Sequence, residues 1–232
     1  MQEVKRRIDR IVLFDMDNTL LQGRFIDTAA AEMGFSDKLE QARQEIQHAV
    51  LRTQTIASLL AGTSRQQMFQ IADSIPLVAD AAKVITELKN LGYMTAIVSD
   101  SYDCVVQQVG KRLGIDLVFA NQLEFVQNKV TGVVTIPGYF LKTEGSWCEH
   151  AVCKSHLVRF IVEQCGVAAA DIVAVGDSEN DVCMVRLAGL GVSFCTQHQL
   201  LRDSAKHHIE TREFGPLLAW VQELNGRCQD EF

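Results

Sequence analysis

Two aspartates, Asp15 and Asp17, stand two positions apart where the apolar run Ile11-Val12-Leu13-Phe14 ends. Side chains repeat every two residues along a strand, so both carboxylates gather around one point as the chain turns. Like charges that close need a cation or a shared proton. The pair suits a solvated acidic loop. It equally suits metal-assisted catalysis in which one carboxylate attacks and the other moves a proton. Two further apolar runs end in polar clusters. Residues 95–98 lead into Ser99-Asp100-Ser101, and residues 172–175 into Gly176-Asp177-Ser178-Glu179-Asn180-Asp181. Alone, Ser99 reads as an ordinary helix N-cap and Gly176-Asp177 as a turn. Three strand ends with complementary chemistry are much rarer by chance, and in a parallel sheet they converge at its carboxyl edge.

That convergence requires strands alternating with helices, and the periodicity supplies them. Residues 80–91 carry an amphipathic helical pattern, with Asp80 as N-cap and Gly92 as stop. A helix after the second strand runs to about Leu113 and closes at Gly114, and residues 117–119 form a third strand. Residues 123–134 alternate around Asn128-Lys129, which predicts a β-hairpin. Residues 137–146 are irregular and 156–164 helical. After the strand at 172–175 come a short helix to Ala188 and a strand at 191–194. The fold class is α/β, a Rossmann-like doubly wound parallel sheet with right-handed crossovers. Residues 22–75 break the pattern. They show no strand signal, are rich in Ala, Gln and Glu, and space Ile46, Val50 and Leu51 as a helix does. With Pro76 as boundary, the expected organisation is a core of residues 1–21 and 76–232, a hairpin flap at about 120–146, and a helical cap at 22–75.

The chain has 232 residues, 47% of them hydrophobic, enough for one well-buried core with a smaller insert. Net charge is -7 with no basic block, which argues against a nucleic-acid partner. A small anionic ligand needs only a few local donors and stays open. Seven cysteines in no disulfide-like pattern, and an initial apolar run too short for a signal peptide, lead us to expect a reducing cytoplasm. No stretch has the eighteen or so apolar residues of a membrane span. Monomer and homodimer both fit.

Asp15-Met16-Asp17-Asn18-Thr19-Leu20, Ile97-Val98-Ser99, Lys154 within Cys153-Lys154-Ser155, and Gly176 to Asp181 follow in one order along the chain. In that order the sequence resembles the haloacid dehalogenase superfamily, in its phosphoserine phosphatase-like branch. The resemblance runs from about residue 11 to 210. It implies a phosphomonoesterase acting on a small phosphorylated metabolite. Asp15 becomes the nucleophile that forms an aspartyl-phosphate, and Asp17 the acid that protonates the leaving alcohol and then the base for water. Mg²⁺ is implied at Asp15, the Asp17 main-chain carbonyl and Asp177, with Asp181 orienting from behind. Ser99 and the next backbone N–H, at a helix start, bind phosphate together with Lys154. Asn180 contacts substrate or phosphate, and Thr19 hydrogen-bonds within the first loop.

The chain departs from that branch at its specificity positions. Arg24 stands where those enzymes carry a Glu that reads the substrate ammonium. An arginine there repels an ammonium and attracts a carboxylate or a second phosphate. The cap arginine of the branch is replaced by Thr55-Ile56-Ala57-Ser58, with Arg52 and Arg65 nearby. Asp100-Ser101 replaces Gly-Gly, so Asp100 adds negative charge near the phosphate unless it turns away. Phosphoserine is therefore expected to be a poor substrate. A phosphotransferase or phosphomutase on the same scaffold, and a catalytically silent ligand-binding protein, are the alternative readings.

Cys148, His150, Cys153 and His156 crowd together around Lys154. Zinc uses such ligands, but the C-x-H-x₂-C-x₂-H spacing matches no familiar module. The cluster is read as packing and rim residues. His48, His198, His207 and His208 are expected to be surface or structural.

Overall fold

The computed structural model describes residues 8–227 of the chain. The outermost segments of the expected core, 1–7 and 228–232, lie outside them. Strand β1 (Ile11–Phe14) is fully buried at all four positions. Val12 and Phe14 pack on one face and Ile11 and Leu13 on the other, so the strand needs no polar alternation. Four helices follow: α1 (Phe25–Met33), α2 (Ser36–Glu45), α3 (Ala49–Ser58) and α4 (Arg65–Ser74). This segment leaves and re-enters the sheet unit at one place. The Gln22 N–H donates to the Pro76 carbonyl at 2.8 Å, and the Val78 N–H to that of Leu20 at 2.9 Å.

The chain continues through α5 (Ala81–Asn90), β2 (Met94–Tyr102), α6 (Asp103–Leu113), β3 (Leu117–Val126) and β4 (Lys129–Thr135). Then come α7 (Lys154–Phe160), β5 (Ile172–Gly176), α8 (Val182–Leu187) and β6 (Leu190–Phe194). Last are α9 (Gln199–Ser204), β7 (His207–Ile209) and α10 (Gly215–Arg227). The seven strands form one sheet in the order β4-β3-β2-β1-β5-β6-β7. Every pair is parallel except β3 with β4. The sheet is thus the expected doubly wound α/β type. Strand β1 lies between β2 and β5, so the ends of these three strands are neighbours at the topological switch point.

Several elements differ from the sequence expectations. Strand β2 runs to Tyr102 rather than ending at Val98, and α6 begins only at Asp103. Ser99 therefore lies in extended chain, not at a helix start. A pairing irregularity between Val98 and Tyr102 absorbs the extra length, and the Asn121 amide donates to the Asp100 carbonyl at 2.6 Å across it. The hairpin turn sits one residue early, at Gln127 and Asn128, whose φ of 48° and 66° are both left-handed as a primed turn requires. Strand β3 is continuous from the sheet into that hairpin. The hairpin is also tied to the helical segment, with the Val130 N–H on the Thr63 carbonyl at 2.9 Å and the Arg65 N–H on that of Asn128 at 3.0 Å.

Asp80 precedes α5 but its carboxylate caps another helix. It accepts from the N–H groups of Phe214 and Gly215 at 2.8 and 2.9 Å, anchoring α10. Phe214 then meets Phe14 edge-on at 5.5 Å between ring centres and stacks on Phe194 at 4.7 Å. No helix among the described residues is long and apolar enough to cross a membrane.

Candidate active site

A cavity of about 900 Å³ lies between the carboxyl ends of β1, β2 and β5 and the four-helix segment. Asp15, Asp17, Asp100, Lys154, Asp177 and Asn180 all line it, together with Arg24. The floor is built by β1 and β5. The Asp15 N–H donates to the Val175 carbonyl at 2.9 Å, which fixes Asp15 in extended chain one step past β1. The following turn places Asn18 in the left-handed region at φ 60°. It swings Asp17 back so that its carboxylate accepts the Phe25 N–H at 2.7 Å, the first residue of α1. A helix N-terminus favours a negative group there.

Lys154 opens α7 and is only 5% exposed. Its ammonium donates to Asp15 and, at 2.6 Å, to Asp181. Asp181 has no exposed surface. Its second oxygen accepts the N–H groups of Asp177 and Ser178 at 3.2 and 3.1 Å and the Ser178 hydroxyl at 3.0 Å. Four of its contacts thus hold the loop and Lys154 in place. Such an approach needs a glycine at 176, where a Cβ would stand 2.4 Å from the Asp181 Cβ.

The electrostatics follow from crowding. Burial, then Asp181, Asp177 and Asp17, push the Asp15 carboxyl well above its usual range, against the pull of Lys154. Burial pushes Asp17 up to about 7, with Asp100 adding to it and the Phe25 N–H opposing. Asp177 is raised by burial and by Asp181, while Lys154 and Arg24 work the other way. Burial disfavours the charge on Lys154, but Asp15 and Asp181 outweigh it and the lysine pKa is raised. One ammonium therefore faces an excess of carboxylates, and the group remains short of positive charge. Asp15, Asp177 and Asp181 each offer an oxygen, all within 4.8 Å of one another. Asp181 is the most heavily engaged of the three, so Asp15 and Asp177 are the more available oxygen ligands. That donor set fits Mg²⁺, which takes carboxylates and leaves room for water and phosphate oxygens.

Ser99, by contrast, has no exposed surface, and its hydroxyl accepts the Ser101 N–H at 3.1 Å. Ser101 and Tyr102 line the cavity beyond it. Asp100 stays on the cavity wall, keeps its charge near Asp17 and Lys154, and accepts from the Asn180 amide at 2.9 Å, so these two predicted contacts engage each other. The Thr19 hydroxyl is buried without a partner and does not make the expected loop hydrogen bond. Of the two flanking arginines, Arg52 lines the cavity, while Arg65 lies over the Phe125 ring at 3.8 Å. The sequence reading missed Arg43 and Asn121, which also line it. Arg43 lies in a polar helix and Asn121 inside an apolar strand, so neither carried a motif. Asn121 is buried with its side-chain oxygen unpartnered.

Three of the other histidines have structural contacts, although His48 also lines the cavity. His48 accepts the Leu51 N–H at 3.3 Å and caps α3, His208 pairs with Ser193 at 2.9 Å, and His207 stacks on Trp220. His156 turns away from the cysteines to the His150 carbonyl at 2.9 Å.

The sequence profile of haloacid dehalogenase-like hydrolases matches residues 12–186. The phosphoserine phosphatase of Methanocaldococcus jannaschii is 31% identical over 92% of this chain and 98% of its own length. That of Streptomyces coelicolor is 32% identical over 97% of this chain, which spans only 52% of that longer relative. A solved structure described as a phospho-aspartyl intermediate analogue of phosphoserine phosphatase matches with a TM-score of 0.75 at 31% identity, covering 92% of this chain and 99% of the other. A substrate-bound phosphoserine phosphatase complex matches with a TM-score of 0.75 at 30% identity, covering 91% and 98%.

Proposed function

Because the chain belongs to the haloacid dehalogenase-like hydrolase family, and is a phosphatase of its phosphoserine phosphatase-like branch, we propose that it hydrolyses a small phosphomonoester carrying a second anionic group, with Asp15 as nucleophile. The observation that carries this reading is the buried Lys154 ammonium joining Asp15 to Asp181, with Asp177 beside them. Mg²⁺ held by Asp15 and Asp177 would supply the missing positive charge and keep Asp15 ionised.

Asp15 attacks phosphorus with a carboxylate oxygen. The new Oδ–P bond forms, the P–O bond to the alcohol breaks, and Asp17 gives its proton to the departing oxygen. Asp17 then takes a proton from the water that attacks the aspartyl-phosphate. The Oδ–P bond breaks and inorganic phosphate leaves. A carboxyl pushed up to about 7 is matched to both duties near neutrality. Lys154 balances charge on the phosphoryl group, and Asp181 keeps it in place. The helices at 25–74 act as the cap that excludes water and selects the substrate. Arg24 and Arg52 on its cavity face favour an anionic leaving group over an ammonium.

Steady-state assays with Mg²⁺ over phosphorylated acids, sugars, amino alcohols and phosphoserine test the reading. Phospho-acids or bisphosphates should give the highest kcat/KM. Phosphoserine as the best substrate would overturn the specificity assignment, and no turnover of any phosphomonoester would overturn the reaction.

A further inference from the structure

A second donor set sits at the rim of the cavity and takes no part in the proposed reaction. It is made of sulfur and nitrogen rather than oxygen. One ligand atom each from Cys148, His150, Cys153 and Cys183 lies within 4.8 Å of the other three. The first three belong to the loop between β4 and α7, and the fourth to the first turn of α8. This differs from the grouping read in the sequence, with Cys183 taking the place of His156.

Geometry separates this set from ordinary buried cysteines. In a tetrahedral zinc site, Zn–S of about 2.3 Å and Zn–N of about 2.0–2.1 Å put neighbouring ligand atoms about 3.5–3.8 Å apart. Cys183 Sγ and His150 Nδ1 already stand 3.6 Å apart. The remaining separations close by about 1 Å or less, within the reach of side-chain rotation. Packing does not explain the histidine, because His150 is exposed yet directs its ring at a sulfur. The cysteines are free thiols.

The surroundings hold the ligands in place. The Cys153 N–H donates to the Phe140 carbonyl and the Lys142 N–H to that of Ala151, both at 2.9 Å, which closes the loop at its base. His156 fixes the main chain at His150. The Ser155 hydroxyl lies 3.1 Å from both Cys148 Sγ and Cys153 Sγ, placed to donate to a coordinated thiolate as outer partners of metal ligands do.

We propose that Cys148, His150, Cys153 and Cys183 form a four-ligand site for a thiolate-binding divalent cation of the zinc type. Three sulfurs and an imidazole select such a cation over magnesium, which takes oxygen. Four protein ligands leave no open position, so the site is structural rather than catalytic. Its place in the chain gives it a purpose. Cys153 immediately precedes Lys154, and Cys183 follows two residues after Asp181. A bound ion ties together the two elements that carry the Lys154–Asp181 ion pair.

The test is independent of the reaction. The full chain, purified with reductant and without chelator, is assayed for metal, then stripped and titrated with Co²⁺ followed by Zn²⁺. About one zinc per chain is expected. Cobalt should give thiolate-to-metal charge-transfer bands and intense tetrahedral d–d bands, which zinc then displaces. An all-oxygen carboxylate site produces no thiolate band. Cys183→Ser and the exposed His150→Ala should each weaken zinc binding at least about 10-fold, while Cys165→Ser, outside the set, leaves it unchanged. His150→Ala keeps the test decisive if Cys183→Ser does not fold. Wild-type protein with neither zinc nor a cobalt–thiolate band overturns the site. So do bands undiminished in the folded variants, or a disulfide within the set in the reduced preparation.

Discussion

The floor of the cavity and its helical wall are built in opposite ways. The floor is acidic and buried, with Asp15 4% and Asp181 0% exposed. Its side chains are fixed by main-chain N–H groups and by one ammonium. The wall is basic and open. Arg24 precedes the first turn of α1, Arg43 pairs with Asp27 at 2.5 Å with a third of its side chain exposed, and Arg52 donates to the Ile46 carbonyl at 3.2 Å. In the proposed reaction, the groups that would meet phosphorus are held by the sheet, where a small displacement is costly. The groups that would choose among leaving groups lie on or beside helices that meet the sheet through few main-chain bonds. On that proposal, rate is a property of the floor and selection a property of the wall.

The sharpest way to break this division is to alter the floor. Asp15→Asn should lower kcat by at least about 10⁴-fold with the fold intact, because the proposed reaction runs through a bond from its carboxylate to phosphorus. Lys154→Met should cost about 10²–10³-fold in kcat, the scale for losing one preorganised charge-stabilising donor. Circular dichroism of both variants checks the fold, and turnover with saturating Mg²⁺ checks the rate. Wild-type turnover in Asp15→Asn would remove the nucleophile and with it the assignment of the floor to chemistry.

Legibility in the sequence follows the same line. The apolar run at 11–14 carries a buried-strand signal, and β1 is that strand. The acids after it and after β5 meet because parallel strands put like ends together. Ser99 was misread because β2 continues through a polar stretch. An Asn121 amide on the Asp100 carbonyl holds that extension, a tertiary contact without a local signature. Asp80 was misread for the same reason, since its carboxylate serves residues 134 and 135 positions away. Strand β7 escaped notice because it is three residues long and begins with two histidines. The wall was the least legible part. Arg24 was flagged by its place after the first motif, but Arg43 and Arg52 lie inside helices, where a solvated arginine and one facing a cavity look alike.

A smaller effect tests how the floor carries its charge. In metal-free protein Asp15, Asp17 and Asp177 all bind their protons more tightly than free carboxyls do. A folded-state pKa above the unfolded one contributes stability that is complete below the unfolded value and lost as pH rises through the folded value. For Asp17 that window runs from 3.8 to about 7. Chelator-treated protein should therefore lose part of its stability across it. Mg²⁺ competes with those protons, so its increment in Tm should be larger at pH 8 than at pH 5. Equal increments at the two pH values would mean that the cation does not bind these carboxylates.

The smallest expected effect falls on the wall and separates its arginines. Arg24 acts on the floor as well, since its charge lowers both Asp17 and Asp177. Arg52 is not among the leading influences on either carboxyl. Losing one charge-assisted contact costs about 1.5–3 kcal/mol, or about 10- to 150-fold in affinity. Arg52→Ala should raise KM on that scale for a doubly anionic substrate and leave kcat and its pH profile in place. Arg24→Ala should raise KM similarly and also move the pH profile of kcat upward, because Asp17 loses a neighbour that favours its ionised form. The two profiles, measured on one substrate, decide whether wall and floor are independent. A shift with Arg52→Ala equal to that with Arg24→Ala would join them into one electrostatic unit.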